Sequence, residues 1–135
     1  MLGYHSAIDL VWATAIAFLV GDLPATLQLG RQAIRGLPWG GDRMRMGMVL
    51  HIIAGALAAT RPDAAAIIQG AAGTYAVAPP RSTRLISSVV TGTLGEERAR
   101  ELRARGVDMD WDQALAYTLT QATQALSELE SATPP

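Results

Sequence analysis

His5 and His51 are the first residues to test for chemistry, because neutral imidazole serves both as a general base and as a common metal ligand. No Asp or Glu stands three or four residues from His51. Asp9 lies one helical turn after His5 and could hydrogen-bond it. A zinc site needs three or four ligands; cysteine-based sites are excluded, and the two histidines stand on different helices. Both histidines are therefore expected to be structural. Asp108, Asp110 and Asp112 have the spacing that opens a calcium loop, but the required glycine and closing glutamate are missing. Helix capping accounts for Asp110 and the helix macrodipole for Asp112. Glu96, Glu97 and Glu101 could be imagined as acid–base carboxylates. They stand among Arg98, Arg100, Arg103 and Arg105, which reads as a solvated, ion-paired helix face. Those arginines carry no interleaved aromatics, so nucleic acid is not expected as a partner. No catalytic, cofactor or metal residue is assigned, and no enzyme is expected.

The bulk composition agrees. The chain has 135 residues and a net charge of −1, with no field to attract nucleic acid or an anionic membrane. All eleven basic residues are arginine, the usual mark of a GC-rich genome. Half of the residues are apolar but only 5% are aromatic, so Ala, Leu, Ile, Val and Met must form the core. The uncharged runs Leu10–Gly21 and Ala64–Pro80 are too short, or too broken by Gly and Pro, for a spanning helix of about 20 residues. No basic stretch precedes the first apolar run, so no signal peptide is expected. The absence of cysteine is compatible with a cytoplasmic location.

These groups must be positioned by helices, because no segment alternates with period two. About seven are expected, in one domain over residues 1–130, with a frayed tail over 131–135. The first runs from Tyr4 to about Val20 and ends at Gly21. Asp22 caps the second, which has Pro24 in its first turn and continues to Arg35. Gly36–Gly41, with Trp39, is a loop, and Trp39 is expected either to pack over a helix-pair edge or to stand exposed as an anchor. Asp42 caps a third helix reaching about Ala59. Pro62 opens the fourth, to about Val77, and Pro79-Pro80 breaks the chain. The fifth spans Ser82–Val90. Thr93 and Glu96 form a capping box for the sixth, which carries Glu96–Arg100 and Glu101–Arg105 pairs and ends at Gly106. Asp110 and Gln113 form a second box for the seventh, Trp111 to about Ser127.

Two helix pairs look alike. Gly21-Asp22 separates the first pair, and Arg61-Pro62 stands at the same place 40 residues on. An alanine-rich stretch follows each, Ala25–Ala33 and Ala64–Ala72. The first pair resembles a tetratricopeptide repeat through the Gly21-Asp22 turn, Thr26, Ala33 and Pro38. It departs at Gly30, where an aromatic is usual, and at Thr14, where Gly or Ala is usual. The expected fold is all-α, with antiparallel pairs stacked as a tetratricopeptide-like repeat.

The C-terminal third is more specific. Leu94-Gly95-Glu96-Glu97-Arg98, then Gly106, then Met109-Asp110-Trp111-Asp112-Gln113-Ala114-Leu115-Ala116-Tyr117-Thr118-Leu119 is similar to the ending of the large actinobacterial ATP-dependent transcriptional regulators of LuxR and cyclase-associated type. Arg61-Pro62-Asp63-Ala64-Ala65 with Gly70-Ala71-Ala72 resembles another segment of their helical region. The resemblance spans roughly residues 10–120 and implies a sensor or scaffold region. The ATPase, cyclase and helix-turn-helix modules of such proteins have no counterpart here, and without lysine the chain has no Walker-type phosphate loop. The expectation is an excised terminal domain or a free-standing relative.

If the repeat alignment holds, the first helix of each pair lines one face. Ile8, Val11, Ala15 and Phe18 then lie beside Met48, His51, Gly55 and Ala58 in an apolar groove with one polar group. Met44, Met46 and Met48 suit either a core or an adaptable surface. The groove fits an amphipathic helix of another protein; the same residues could instead face the core, a second copy or the rest of a longer parent chain. The alternative is a small-molecule sensor holding an apolar effector oriented by His51.

Overall fold

The computed structural model describes residues 4–36, 43–76 and 80–132, and within them every element is an α-helix. The seven are α1 (Tyr4–Leu19), α2 (Leu23–Gly36), α3 (Arg43–Leu57), α4 (Pro62–Gly73), α5 (Pro80–Leu94), α6 (Glu96–Val107) and α7 (Trp111–Ala132). The Trp39 loop and the Asp42 cap lie outside the described residues.

Local chemistry sets most boundaries. Gly21 adopts φ +79°, a conformation that L side chains disfavour, and ends the turn after α1. Asp22 Oδ1 accepts the Ala25 N–H at 3.1 Å and caps α2. Pro62 occupies the first turn of α4, where a missing N–H costs nothing. At α7 the expected box forms in both directions. The Gln113 N–H donates to Asp110 Oδ1 at 2.8 Å, and the Asp110 N–H donates to Gln113 Oε1 at 3.0 Å.

The junction of α5 and α6 departs from expectation. The Thr93–Glu96 capping box does not form, because α5 continues to Leu94 and the Thr93 hydroxyl bonds back to the Val89 carbonyl at 3.0 Å. Gly95, at φ +87° and ψ 156°, is the N-cap instead, and Glu96 becomes the first helical residue. A single glycine in a region almost closed to other residues therefore makes the bend. Gly95→Ala should cost about 1–2 kcal/mol, read as a lower urea midpoint with an unchanged slope; a neutral substitution would contradict this geometry. α7 also runs five residues past Ser127, so Ser131 and Ala132 are helical, and residues 133–135 lie outside the described set.

α1 packs along α2 and α3 along α4, with α2 against α3 and α1 touching α3. Gly30 of α2 leaves room for Ile53, whose Cδ1 would lie 2.9 Å from a Cβ placed there, and Thr14 Cγ2 lies at 3.7 Å. This close approach explains why no aromatic occupies position 30. The centre of the molecule is α4, in which residues 64–69 are buried without interruption. A helix buried on all sides needs apolar or small side chains all round, and Ala64–Ile68 supply them. Leu27, Leu50, Ile53, Leu57, Ile68 and Leu102 are the largest fully buried side chains around it.

The most extensive helix contact is α4 with α6. Gly70 and Gly106 make it possible. A Cβ on Gly70 would fall 2.0 Å from the Arg103 carbonyl oxygen, and one on Gly106 would fall 1.9 Å from that of Ile67. The two backbones therefore touch. α7 then returns across α2, with lesser contacts to α3 and α4. Trp111 at its start meets Tyr75 edge-on (centroids 4.7 Å, 81°), with the Arg43 guanidinium 4.9 Å over its ring. Near its end, Gln121, Gln124 and Glu128 all bind Arg61.

Candidate functional site

The His5 side chain lies outside the described residues, and several of the other chemistry-bearing groups are engaged in structure. His51 is buried, and its Nε2 lies 3.0 Å from the Ala76 carbonyl oxygen, which ties α3 to the chain leaving α4. Gly47 lets that segment lie directly on α3: a Cβ there would be 2.8 Å from the Ala76 Cβ. Burial holds the His51 pKa below its ordinary value, and the Ala76 hydrogen bond only partly opposes this. The unfolded chain therefore takes up a proton near pH 6.5 that the folded chain resists. The contribution to stability is complete above that pH and is lost as pH falls toward the folded-state value, with a slope of up to about 1.4 kcal/mol per pH unit. Wild-type protein should thus lose more stability than His51→Gln between pH 7.5 and 5; equal losses would show that His51 titrates as in the unfolded chain.

Asp108 forms the C-terminal cap of α6 through its backbone, Asp110 caps α7, and Asp112 stands exposed in its first turn. Among the described residues no group of three His, Asp or Glu could hold a metal ion. Glu96 and Glu97 are exposed at the start of α6. The expected Glu96–Arg100 and Glu101–Arg105 pairs do not form. Arg98 instead reaches Glu101 at 3.9 Å and Asp63 of α4 at 3.6 Å, because α6 lies against the start of α4. Arg103 also leaves the solvated face. Its Nε donates to Gln69 Oε1 at 3.0 Å, and Gln69 Nε2 donates to Ser87 Oγ at 3.2 Å. This chain of contacts joins α4, α5 and α6. The one signal for it was a lone Gln inside an apolar run. Three buried hydroxyls are likewise occupied, each donating to the carbonyl one turn back: Thr14 to Leu10, Thr26 to Asp22 and Thr118 to Ala114.

The residues expected to line a groove are brought together, but mostly as packing. Val11, His51 and Ala58 are buried, Ala15 is half-buried, and Phe18 packs against the core. Gly55 lies beneath Phe18, whose Cζ would be 2.7 Å from a Cβ at that position. Met48 is exposed, and the Ile8 side chain lies outside the described residues. Phe18 and Gly55 meet inside the α1–α3 contact. The exposed face of α1 is turned by one residue, about 100° of helix. It carries Trp12, Ile16, Leu19 and Val20.

Exposed apolar residues also stand on α3 and α5. Met46 is core, whereas Met44 and Met48 are exposed on α3, with Ile52 half-buried one turn on. On α5, Leu85 and Val89 are exposed one turn apart. α5 is tied to this side of the molecule because Ile86 Cδ1 and Phe18 Cζ both lie within 3.3 Å of the same point above Gly55. Leu10 and Thr14 turn α1 toward α2, at Gly36 and Gly30, and Ser87 turns α5 toward α4. The outward stripes of α1 and α5 point away from those partners and flank α3. Among the described residues, seven of the nine exposed large hydrophobic side chains lie on α1, α3 and α5; Val20 stands in the turn after α1 and Val107 ends α6. An open depression of about 410 Å³ lined by Met44, Met48, Gly73, Thr74, Tyr75 and Ala76 adjoins the α3 part. A second, lined by Arg105, Asp108, Met109, Gln113, Ala116 and Tyr117, is more polar. Burial raises the Tyr117 pKa there.

Among the described residues no helix is long and apolar enough to cross a membrane. Set against known families, curated proteins and solved structures, the chain matches no family model, no curated protein and no solved structure.

Proposed function

We propose that this chain is a non-enzymatic protein-interaction module of regulatory type, whose partner covers the apolar face of α1, α3 and α5. One observation carries the reading: among the described residues, seven of the nine exposed large hydrophobic side chains lie on α1, α3 and α5. A water-facing apolar surface of this kind marks an interaction site. His51 is held in packing, Asp110 in a helix cap and Asp63 and Glu101 in ion pairs with Arg98, which favours binding over catalysis.

The pairs α1–α2, α3–α4 and α5–α6 are read as stacked tetratricopeptide-like units, with the first helix of each on the interaction face. The packing of α1 on α2, α3 on α4 and α2 on α3 supports this. α6, which packs more on α4 than on α5, and α7, which returns to α2, are departures from a simple stack. The similarity of Leu94–Leu119 to the helical region of LuxR-type regulators supports a place in transcriptional or signalling control inside the cell. The effector-binding alternative has weaker support, since the depression beside Met44 and Met48 is open and His51 is bonded to Ala76 behind it.

The test compares two exposed apolar positions. Leu85→Asp lies on the face and Val107→Asp off it. Both should change stability by less than about 0.5 kcal/mol. In pull-downs from cells that express the chain, Leu85→Asp should lose the bound protein and Val107→Asp should retain it. Retention by Leu85→Asp with loss by Val107→Asp would place the contact elsewhere.

A further inference from the structure

We propose that the α1 part of this face is a two-fold interface with a second copy of the same chain. This rests on the reading of α1 as part of an interaction face and names its occupant. Trp12, Ile16, Leu19 and Val20 are 64%, 58%, 81% and 74% exposed. Together they present on the order of 500 Å². A standard interface covers about 800 Å² on each partner, a little over half of it apolar. One helix therefore supplies the apolar share of a stable dimer.

The layout of the stripe favours a copy of itself. Residues 10–21 carry no charge, and the bracketing Asp9 and Asp22 are both exposed, so they stay in water at the rim. Trp12 and Val20 stand equally far on either side of Ile16. An antiparallel two-fold through Ile16 sets each Trp12 against Leu19 and Val20 of the other copy. Such isologous pairing closes at two chains and leaves no open end. A strongly acidic partner would find no counter-charge on this stripe and would meet Asp9 and Asp22 at its rim. The cations near the face, Arg81 and Arg84, stand on α5, and neither has an ion pair among the described residues.

Sedimentation velocity of the full chain between about 1 and 200 μM tests this. Interfaces of this size hold at micromolar concentration or below. The expected result is a dimer. Ile16→Glu should weaken it by at least about 30-fold, the effect of a central anchor, while its helical circular dichroism stays that of the wild type. Should Ile16→Glu fail to fold, Ile16→Cys decides. The chain has no other cysteine, so mild oxidation of that variant should link two chains through position 16 faster than it links Thr120→Cys, an exposed position on α7. A monomer at 200 μM, a dimer indifferent to Ile16→Glu, or equal linking at 16 and 120 would each overturn the proposal. A monomer that still loses a bound protein on Leu85→Asp would leave the interaction module standing without self-pairing.

Discussion

Gly106→Val should lower the stability of the domain by about 3 kcal/mol or more, a fall in melting temperature of roughly 10–15 °C for a chain of this size. At this crossing the neighbour of the absent side chain is backbone. A Cβ on Gly106 would lie 1.9 Å from the Ile67 carbonyl oxygen and 2.8 Å from the Ala71 nitrogen. A flexible side chain could rotate away from such a clash, whereas a helix carbonyl cannot. α6 would have to move off α4, opening the largest helix contact in the molecule and exposing Leu102 and Ala99. Gly70→Val should behave alike, since its Cβ would meet the Arg103 carbonyl oxygen at 2.0 Å. Gly92→Ala is the control. Nothing lies within 4 Å of its Cβ position, and it sits inside α5. It should gain about 0.5–1 kcal/mol from helix propensity alone. Thermal and urea unfolding read both signs. A cost below about 1 kcal/mol at Gly106 would mean that the α4 and α6 backbones do not touch.

The second large effect is expected at Arg61. Its backbone is fixed on both sides: its N–H donates to the Leu57 carbonyl at 2.7 Å, and its own carbonyl accepts the Ala65 N–H at 2.9 Å. From that corner the guanidinium donates to Gln121 Oε1 at 2.7 Å, to Gln124 Oε1 at 3.0 Å and to the Glu128 carboxylate. One side chain thereby holds three successive turns of α7. Arg61→Ala should cost about 2–3 kcal/mol, reduced from the sum of charge-assisted bonds because Glu128 and Gln124 are exposed. The loss should be local. Amide exchange should quicken over residues 119–130, while α4, which keeps its apolar packing, should change less. Uniform acceleration across both helices would show that α7 is not a separately held element. Arg61→Lys should recover little, because a single ammonium cannot reproduce the forked donation to three acceptors.

Much of the architecture was legible because local chemistry writes it. The Gly21 turn, the Asp22 cap, Pro62 at the head of α4 and the Asp110–Gln113 box each depend on residues within four positions of one another. The Thr93 box was misread for a local reason as well. A glycine able to take φ +87° two residues on could end one helix and start the next, and it outcompeted the threonine. Arg61 was visible only as a separator of helix pairs, since its side-chain partners lie 60–67 residues away. The Arg103–Gln69–Ser87 contacts were hidden in the same way.

Of the expected groove positions, Val11, His51 and Ala58 are buried and Met48 is exposed. α1 is apolar nearly all round, so its periodicity offers no contrast by which to choose the buried side. Thr14 is fully buried, its hydroxyl turned back to Leu10, while Trp12 stands largely in water. Polarity at position 14 would ordinarily point outward. The close approach of Gly30 to Ile53 and of Gly55 to Phe18 decides the rotation, and both are long-range contacts. The glycines themselves were visible, but their neighbours were not.

The central claim is that the chain acts by presenting the α1–α3–α5 face to protein. Its most direct measurement is photo-crosslinking in living cells, with a benzophenone side chain placed singly at Trp12, Met48 and Leu85 and, for comparison, at Glu97 and Ala116, which are exposed away from the face. The account predicts discrete protein adducts from the first three positions and none from the other two. Adducts confined to Glu97 or Ala116, or an unlabelled face beside them, would contradict it.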